Sequence, residues 1–370
     1  MERVEIRNCL GQMKQLGRTF FYEKSGVLYL NWSCTGLEFE FTGTTLLAEV
    51  TAAAGTEFEG MPWDENAPTH PNWPWIGVLV DDEEEPSRCF EIGREEETCL
   101  IFQCREVETH RIRIVKLTEN QKAKLGVRGF VMEGNLEELP EQNKRTRVEF
   151  VGDSITCGFG NMTNERDRLF YTSDENAWFS HAAIAARKLD MEFSLVSVSG
   201  ICATEAKSIP LEYAMDVLYP YTDRMIQDML GEQGEPEQWD FSGHACDYVV
   251  INLGTNDATG IVFSEDPEAQ YQRFRVGYRS FLEKVRSCNG KETHIICALG
   301  SLDFYLFHDI AEIVEEYRQA SGDEHISTFR YQKLNPMDGW GACDHPGRIT
   351  QAKMADEIAA EILRLEKERG

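Results

Sequence analysis

Four places in this chain carry the polar groups that acyl transfer uses. Ser154 follows the apolar run of VEFVGDSITCGFG (148–160), Gly200 follows that of VSVSGIC, Asn256 stands in VVINLGTND, and His345 lies in GWGACDHPG (339–347). A serine hydroxyl is a poor nucleophile until a base removes its proton, and histidine is the side chain whose ordinary pKa suits that work near neutrality. Attack on a carbonyl then puts negative charge on the former carbonyl oxygen, which fixed donors must meet. The main-chain amides of Ser154 and Gly200 and the side-chain amide of Asn256 would serve, and glycine at 200 lets the main chain approach without a Cβ in the way. Each piece alone reads as turn chemistry or a helix cap. Turn chemistry does not predict that they follow successive strands in order.

The elements that must hold them are readable in the rhythm of the chain. From residue 148 to 370, apolar strands VEFV, FSLVSVS, YVVINLG and HIICALG alternate with segments of helical period. Asp266 and Pro267 open one helix, with Tyr271, Phe274, Tyr278, Phe281 and Val285 on one face. Thr350 is placed to cap the last, whose stripe is Met354, Ile358, Ile362 and Leu365. Such alternation predicts right-handed crossovers and a mainly parallel sheet buried on both faces, with function at the carboxyl ends of its strands. Residues 1–134 read differently: GVLYLNW, GLEFEF, TTLLAEVTA, WIGVLVDD, CLIFQ and HRIRIVKL are strand-length runs separated by turns, which predicts an all-β sandwich or jelly roll. The polar stretch 135–147 reads as a linker.

Composition removes whole classes of partner. At 370 residues the chain accommodates two domains, and a formal net charge of −27 repels nucleic acid and anionic membranes. Eleven cysteines scattered without a CxxC pair, an N-terminus without a signal-like apolar core and no membrane-length stretch predict a cytoplasmic protein. No HExxH or other metal spacing involves His70 or His244, and DDEEE (81–85) reads as a solvated turn, so neither metal nor cofactor is expected. His181 and His308 read as packed or surface histidines, Asp153 and Asp257 as caps or loop braces, and Cys157 and Cys202 as buried small hydrophobes. Trp340, five residues before His345, belongs at the site's rim, either with its flat face free to stack on a substrate ring or as a loop anchor buried against the core. Tyr171, in FYTSDENAW (170–178), is a second candidate substrate contact. The loop 61–77 gathers three tryptophans and four prolines, so it is expected to meet the other domain, a second subunit or a substrate ring, a second subunit first among these.

GDSIT, the glycine of VSVSG, GTND and a late histidine followed by proline resemble the four blocks of the SGNH, or GDSL, hydrolases. More narrowly, the β-rich first half, VEFVGDSITCGFGN, WDFSGHACDYVVINLGTND and DGWGACDHPG resemble carbohydrate esterase family 2, whose members remove acetyl groups from plant polysaccharides. The resemblance implies a jelly-roll domain followed by a flavodoxin-like three-layer α/β/α domain. It implies Ser154 as nucleophile, His345 as base, and Ser154, Gly200 and Asn256 as the oxyanion hole. The expected activity is O-acetyl ester hydrolysis on xylan- or mannan-derived oligosaccharides, falling as pH drops through roughly 6 to 6.5. The rivals are a lipase or thioesterase for longer acyl chains and a glycan-binding protein on an inactive scaffold. One departure concerns the acid of the triad. The positions two and three before the histidine are Cys343 and Ala342, and the nearby carboxylate, Asp344, is adjacent to it. Adjacent side chains of an extended segment point apart, so the orienter is either Asp344 in a sharply bent loop or a backbone carbonyl.

Overall fold

The computed structural model describes residues 1–59, 68–140, 144–209 and 211–369. Its first part is antiparallel: β1 (Glu2–Glu5), β2 (Lys14–Leu16), β3 (Phe20–Tyr22), β4 (Val27–Tyr29), β5 (Gly36–Phe58), β6 (Thr69–Asn72), β7 (Trp75–Val80), β8 (Arg88–Glu91), β9 (Glu96–Lys116) and β10 (Ala123–Glu137). The main path runs β3-β4-β10-β5-β9-β7-β8, with β1 on β10 and β2 and β6 on β5. GLEFEF and TTLLAEVTA, which alternate in opposite phase, are a single strand. In β5 the inward residues are Leu37, Phe39 and Phe41, then Leu46, Ala48, Val50 and Ala52, and the pairing slips between Gly43 and Thr45. An extra residue turns every later side chain over, so the bulge keeps the strand facing one core. β10 does the same, passing from Leu125 and Val127 to Phe130 and Met132 across a shift between Val127 and Gly129. CLIFQ and HRIRIVKL likewise merge into β9.

The second part is a parallel sheet of β11 (Arg147–Gly152), β12 (Glu192–Ser197), β13 (Tyr248–Asn252), β14 (His294–Leu299) and β15 (Ile326–Arg330), in the order β12-β11-β13-β14-β15. Val249, Ile251, Ile295 and Cys297 bury one face under helices Pro267–Asn289 and Phe307–Ser321. Tyr248, Val250, Ile296 and Ala298 bury the other under His181–Lys188 and Arg348–Arg369. Asp266 caps its helix, accepting from the Ala269 amide at 3.0 Å. The last helix begins at Arg348, three residues earlier than a Thr350 cap implies, so Thr350 is buried in its first turn instead of capping it.

β11 lies between β12 and β13, so the chain leaves it to one side and returns to the other. A crevice must open beyond the carboxyl end of β11, the switch point where such sheets bind ligands. The two parts also share a core: Trp32 is buried among the residues of the β13 face, and its indole donates to the Thr222 carbonyl at 2.8 Å. Between Glu137 and Arg147 lies most of the segment read as a linker, of which 141–143 fall outside the described residues. Of the aromatic loop 61–77, residues 61–67 fall outside them, while Trp73 and Trp75 are half-buried against the protein's own cores.

Candidate active site

Parallel register sets Gly152 opposite both Ser197 and Asn252. Three adjacent strands thus end at one level, and Ser154, Gly200 and Asn256 sit two, three and four residues beyond that level. Ser154 opens the short helix Ser154–Cys157, capped by Asp153, whose carboxylate accepts from the Ile155 amide at 3.0 Å. Gly152 allows the turn to close, since a Cβ there would lie 2.0 Å from Thr156 Oγ1. Gly200 has φ +78°, which an L side chain rarely adopts.

Ser154 Oγ lies 2.9 Å from His345 Nε2, and His345 Nδ1 lies 2.8 Å from the Cys343 carbonyl oxygen. A carbonyl can only accept, so Nδ1 carries the proton and the Nε2 lone pair faces the serine hydroxyl. The imidazole is packed against Phe159, ring centres 4.5 Å apart, and Phe159 stacks on Phe170 at 3.8 Å. Burial lowers the His345 pKa, opposed by its hydrogen bonds to the 342–343 main chain. The base is therefore held neutral.

Asp344 does not take the orienting position. Cys343 and Asp344 are both left-handed, with φ 51° and 61°, and that reversal brings the Cys343 carbonyl in while throwing the Asp344 carboxylate outward onto Arg166. The loop is fixed at both ends, with the Gly341 amide donating to the His345 carbonyl at 2.7 Å and the Ala342 amide to the Gly160 carbonyl at 3.0 Å.

Asn256 Nδ2 donates to the Ile201 carbonyl at 3.1 Å and contacts Asp153 Oδ2 at 3.4 Å, which fixes its amide beside the nucleophile turn. Asp257 braces the neighbouring loop, accepting from the Ala203 amide at 2.9 Å. Burial pushes both Asp153 and Asp257 up to about 7. Trp340 is half-buried, its ring under the Arg166 guanidinium at 4.5 Å. Tyr171 stacks on His70 at 4.2 Å, which leaves that face of its ring to the protein. His181 is wholly buried, with Nδ1 on Gln351 at 3.1 Å, and His308 is on the surface.

Sequence reasoning missed the groups that the first domain sends to this site. Lys122 lies with its ammonium 5.5 Å from Phe159 and 5.1 Å from Phe170, bonded to Glu57 at 2.6 Å. Glu119 accepts from the Ser199 amide at 2.7 Å. Neither stands in a recognisable motif.

A model of the GDSL-like lipase/acylhydrolase family matches residues 150–356, and a model of the carbohydrate esterase 2 N-terminal domain matches residues 15–140. The chain is 30% identical, over 90% of its length, to the cellulase/esterase CelE of Acetivibrio thermocellus, of which it spans 37%. It is 25% identical, over 56% of its length, to an acetylxylan esterase / glucomannan deacetylase of Cellvibrio japonicus, of which it spans 58%. The solved family two carbohydrate esterase from Clostridium thermocellum in complex with cellohexaose matches with a TM-score of 0.78 at 26% identity, covering 96% of this chain and 99% of that one.

Proposed function

The chain belongs to the GDSL-like lipase/acylhydrolase family and carries a carbohydrate esterase 2 N-terminal domain ahead of it, and on that premise we propose that it is a serine esterase that removes O-acetyl groups from xylan- or mannan-derived oligosaccharides. The observation that carries this reading is the 2.9 Å contact of Ser154 Oγ with an imidazole whose other nitrogen is held by a carbonyl. Ser154 Oγ attacks the acetyl carbonyl as its proton passes to His345 Nε2. The oxyanion is met by the Ser154 and Gly200 amides and by Asn256 Nδ2. Collapse breaks the bond to the sugar oxygen, which takes the proton from His345 and leaves as a hydroxyl, and acetyl-Ser154 remains. Water then gives a proton to the same nitrogen as it attacks the acetyl carbonyl, and collapse of that second intermediate releases acetate as Ser154 Oγ takes the proton back from His345. The names of the two curated relatives support a sugar ester and an acetyl group. Trp340, at the mouth of the His345 loop, is the wall on which a sugar ring would stack. Eleven cysteines, all free thiols, support a reducing compartment such as the cytoplasm.

The test is acetate release from acetylated xylo- and manno-oligosaccharides by the enzyme and by Ser154→Ala. Release that survives in the variant, or faster turnover of octanoate than of acetate esters, would overturn the reading.

Two further outcomes follow from the His345 loop. The base must be neutral and burial lowers its pKa, so activity is retained as pH falls until the pH passes the folded pKa, below the ordinary value near 6.5. The acidic limb of kcat/KM therefore lies lower than the 6 to 6.5 expected from an unperturbed histidine. A limb near 7 would belong instead to Asp153 or Asp257. Asp344→Ala leaves kcat within about tenfold, because the carboxylate pairs with Arg166 at the surface. A loss of about 10⁴-fold, the effect of a missing triad acid, would restore the orienting role to Asp344.

A further inference from the structure

The turn that carries Gly200 is held from an unexpected side. Four consecutive main-chain amides follow β12. The Val198 amide donates to the Gly152 carbonyl at 3.3 Å and the Ile201 amide to the Val198 carbonyl at 3.3 Å. The Ser199 amide donates to Glu119 Oε2 at 2.7 Å, a buried contact across 80 residues. Of these four, the Gly200 amide alone has no acceptor among the described residues, and it is the one of the four that the oxyanion would use.

Glu119 belongs to the first domain, in the turn between β9 and β10, and is wholly buried. Its own main chain is fixed twice. Its amide donates to Glu175 Oε1 at 2.6 Å, and its carbonyl accepts from Lys116 Nζ at 2.7 Å. Lys116 also donates to the Asn31 and Thr118 carbonyls, each at 2.8 Å. The Glu119 side chain therefore reaches the Ser199 amide from a clamped base, and the contact is a short, buried hydrogen bond of 2.7 Å. Restraint of the Ser199 amide limits rotation of the peptide that follows, whose N–H belongs to Gly200. Gly200 itself cannot supply that restraint: a glycine has wide conformational freedom, and an added Cβ there would meet nothing closer than 3.5 Å.

We infer that Glu119 is a positioning residue of the oxyanion hole, supplied by the carbohydrate esterase 2 domain to the hydrolase domain. The inference rests on the esterase reading above. The first domain is then part of the catalytic apparatus, because it sets the direction in which one oxyanion donor points.

The experiment compares Glu119→Ala and Glu119→Gln with the unaltered enzyme for kcat and KM of acetate release and for inhibition by methylboronic acid, which forms a tetrahedral adduct on the serine. Misdirecting one oxyanion donor typically costs on the order of 10- to 100-fold. Glu119→Ala is expected to lose that much kcat, with KM within about threefold because the group acts on the transition state. Its affinity for the boronic acid falls by a similar factor. Glu119→Gln keeps an acceptor at the same reach and recovers to within about fivefold of the unaltered enzyme.

A Glu119→Ala enzyme with kcat and boronate affinity both unchanged would overturn the inference. So would a kcat loss with unchanged boronate affinity, the mark of a smaller folded fraction. If Glu119→Ala does not fold, Glu119→Asp, one methylene short of the Ser199 amide, gives the same reading. Absence of acetate release by the unaltered enzyme would instead count against the esterase reading, whereas the boronate measurement tests Glu119 without any substrate.

Discussion

Ser154→Ala, His345→Ala and the double variant are expected to lose turnover to the same extent, on the order of 10⁴-fold or more, with a residual rate above that in water. The reason is that the two side chains make one nucleophile. Ser154 Oγ is within 2.9 Å of a base nitrogen whose lone pair can only point at it, because the other ring nitrogen is committed to the Cys343 carbonyl. Without the imidazole the hydroxyl keeps its proton, and without the hydroxyl the imidazole has nothing to activate for the first step. What remains in each variant is the oxyanion hole and binding, the same remainder in all three. The measurement is kcat for acetate release, with thermal unfolding as the control for folding. Ser154 lies at the end of a capped turn and His345 in a loop anchored to Gly160, so neither truncation removes a core side chain. Losses that multiply in the double variant would mean that serine and histidine act in separate steps.

The parts of this site that were legible before the fold was known are those whose chemistry resides in side chains. Ser154 and Asn256 announce themselves because a hydroxyl and a carboxamide after buried strands are conspicuous, and Gly200 because glycine there implies close approach. The parallel sheet was legible for a similar reason: strands buried on both faces are uninterrupted apolar runs, and the Pro267–Asn289 stripe has only one sensible side to bury. What holds His345 was not legible. Every residue has a carbonyl, and which one faces the imidazole is decided by left-handed angles at Cys343 and Asp344, of which only the aspartate is of a type that visits that region with any frequency. Glu119 was hidden differently, since its partner is a main-chain amide in another domain. In the antiparallel half β5 and β9 were each read as two strands because a bulge inverts the phase of alternation, and an inverted phase looks like a new strand.

Glu149 is a carboxylate inside the buried stretch 148–152 of β11, whose other residues are apolar. Arg18, from the first domain, binds it in a bidentate pair, Nε to Oε2 at 3.0 Å and Nη2 to Oε1 at 2.8 Å. The remaining guanidinium nitrogen donates to the Tyr219 and Tyr221 carbonyls at 2.6 and 2.9 Å, and Tyr219 and Phe241 flank the group at 4.9 and 5.0 Å. Both side chains are almost wholly enclosed. Arg18→Ala is therefore expected to lower the unfolding free energy by about 3–5 kcal/mol, since it strands Glu149 as a buried unpaired charge. Most of that loss belongs to the unpaired carboxylate, so Arg18→Met combined with Glu149→Gln recovers at least half of it. Arg18→Lys recovers less, because an ammonium cannot reproduce the fork that reaches the carboxylate and two carbonyls together. Denaturant midpoints at constant slope are the measurement, and a loss below about 1 kcal/mol for Arg18→Ala would mean that the pair behaves like an exposed one. A buried ion pair is a poor source of net stability compared with apolar packing, but it tolerates little displacement. Arg18 and Glu149 thus fix where the first domain sits on β11, the strand that carries Ser154, and Glu119 reaches the Ser199 amide only from that position.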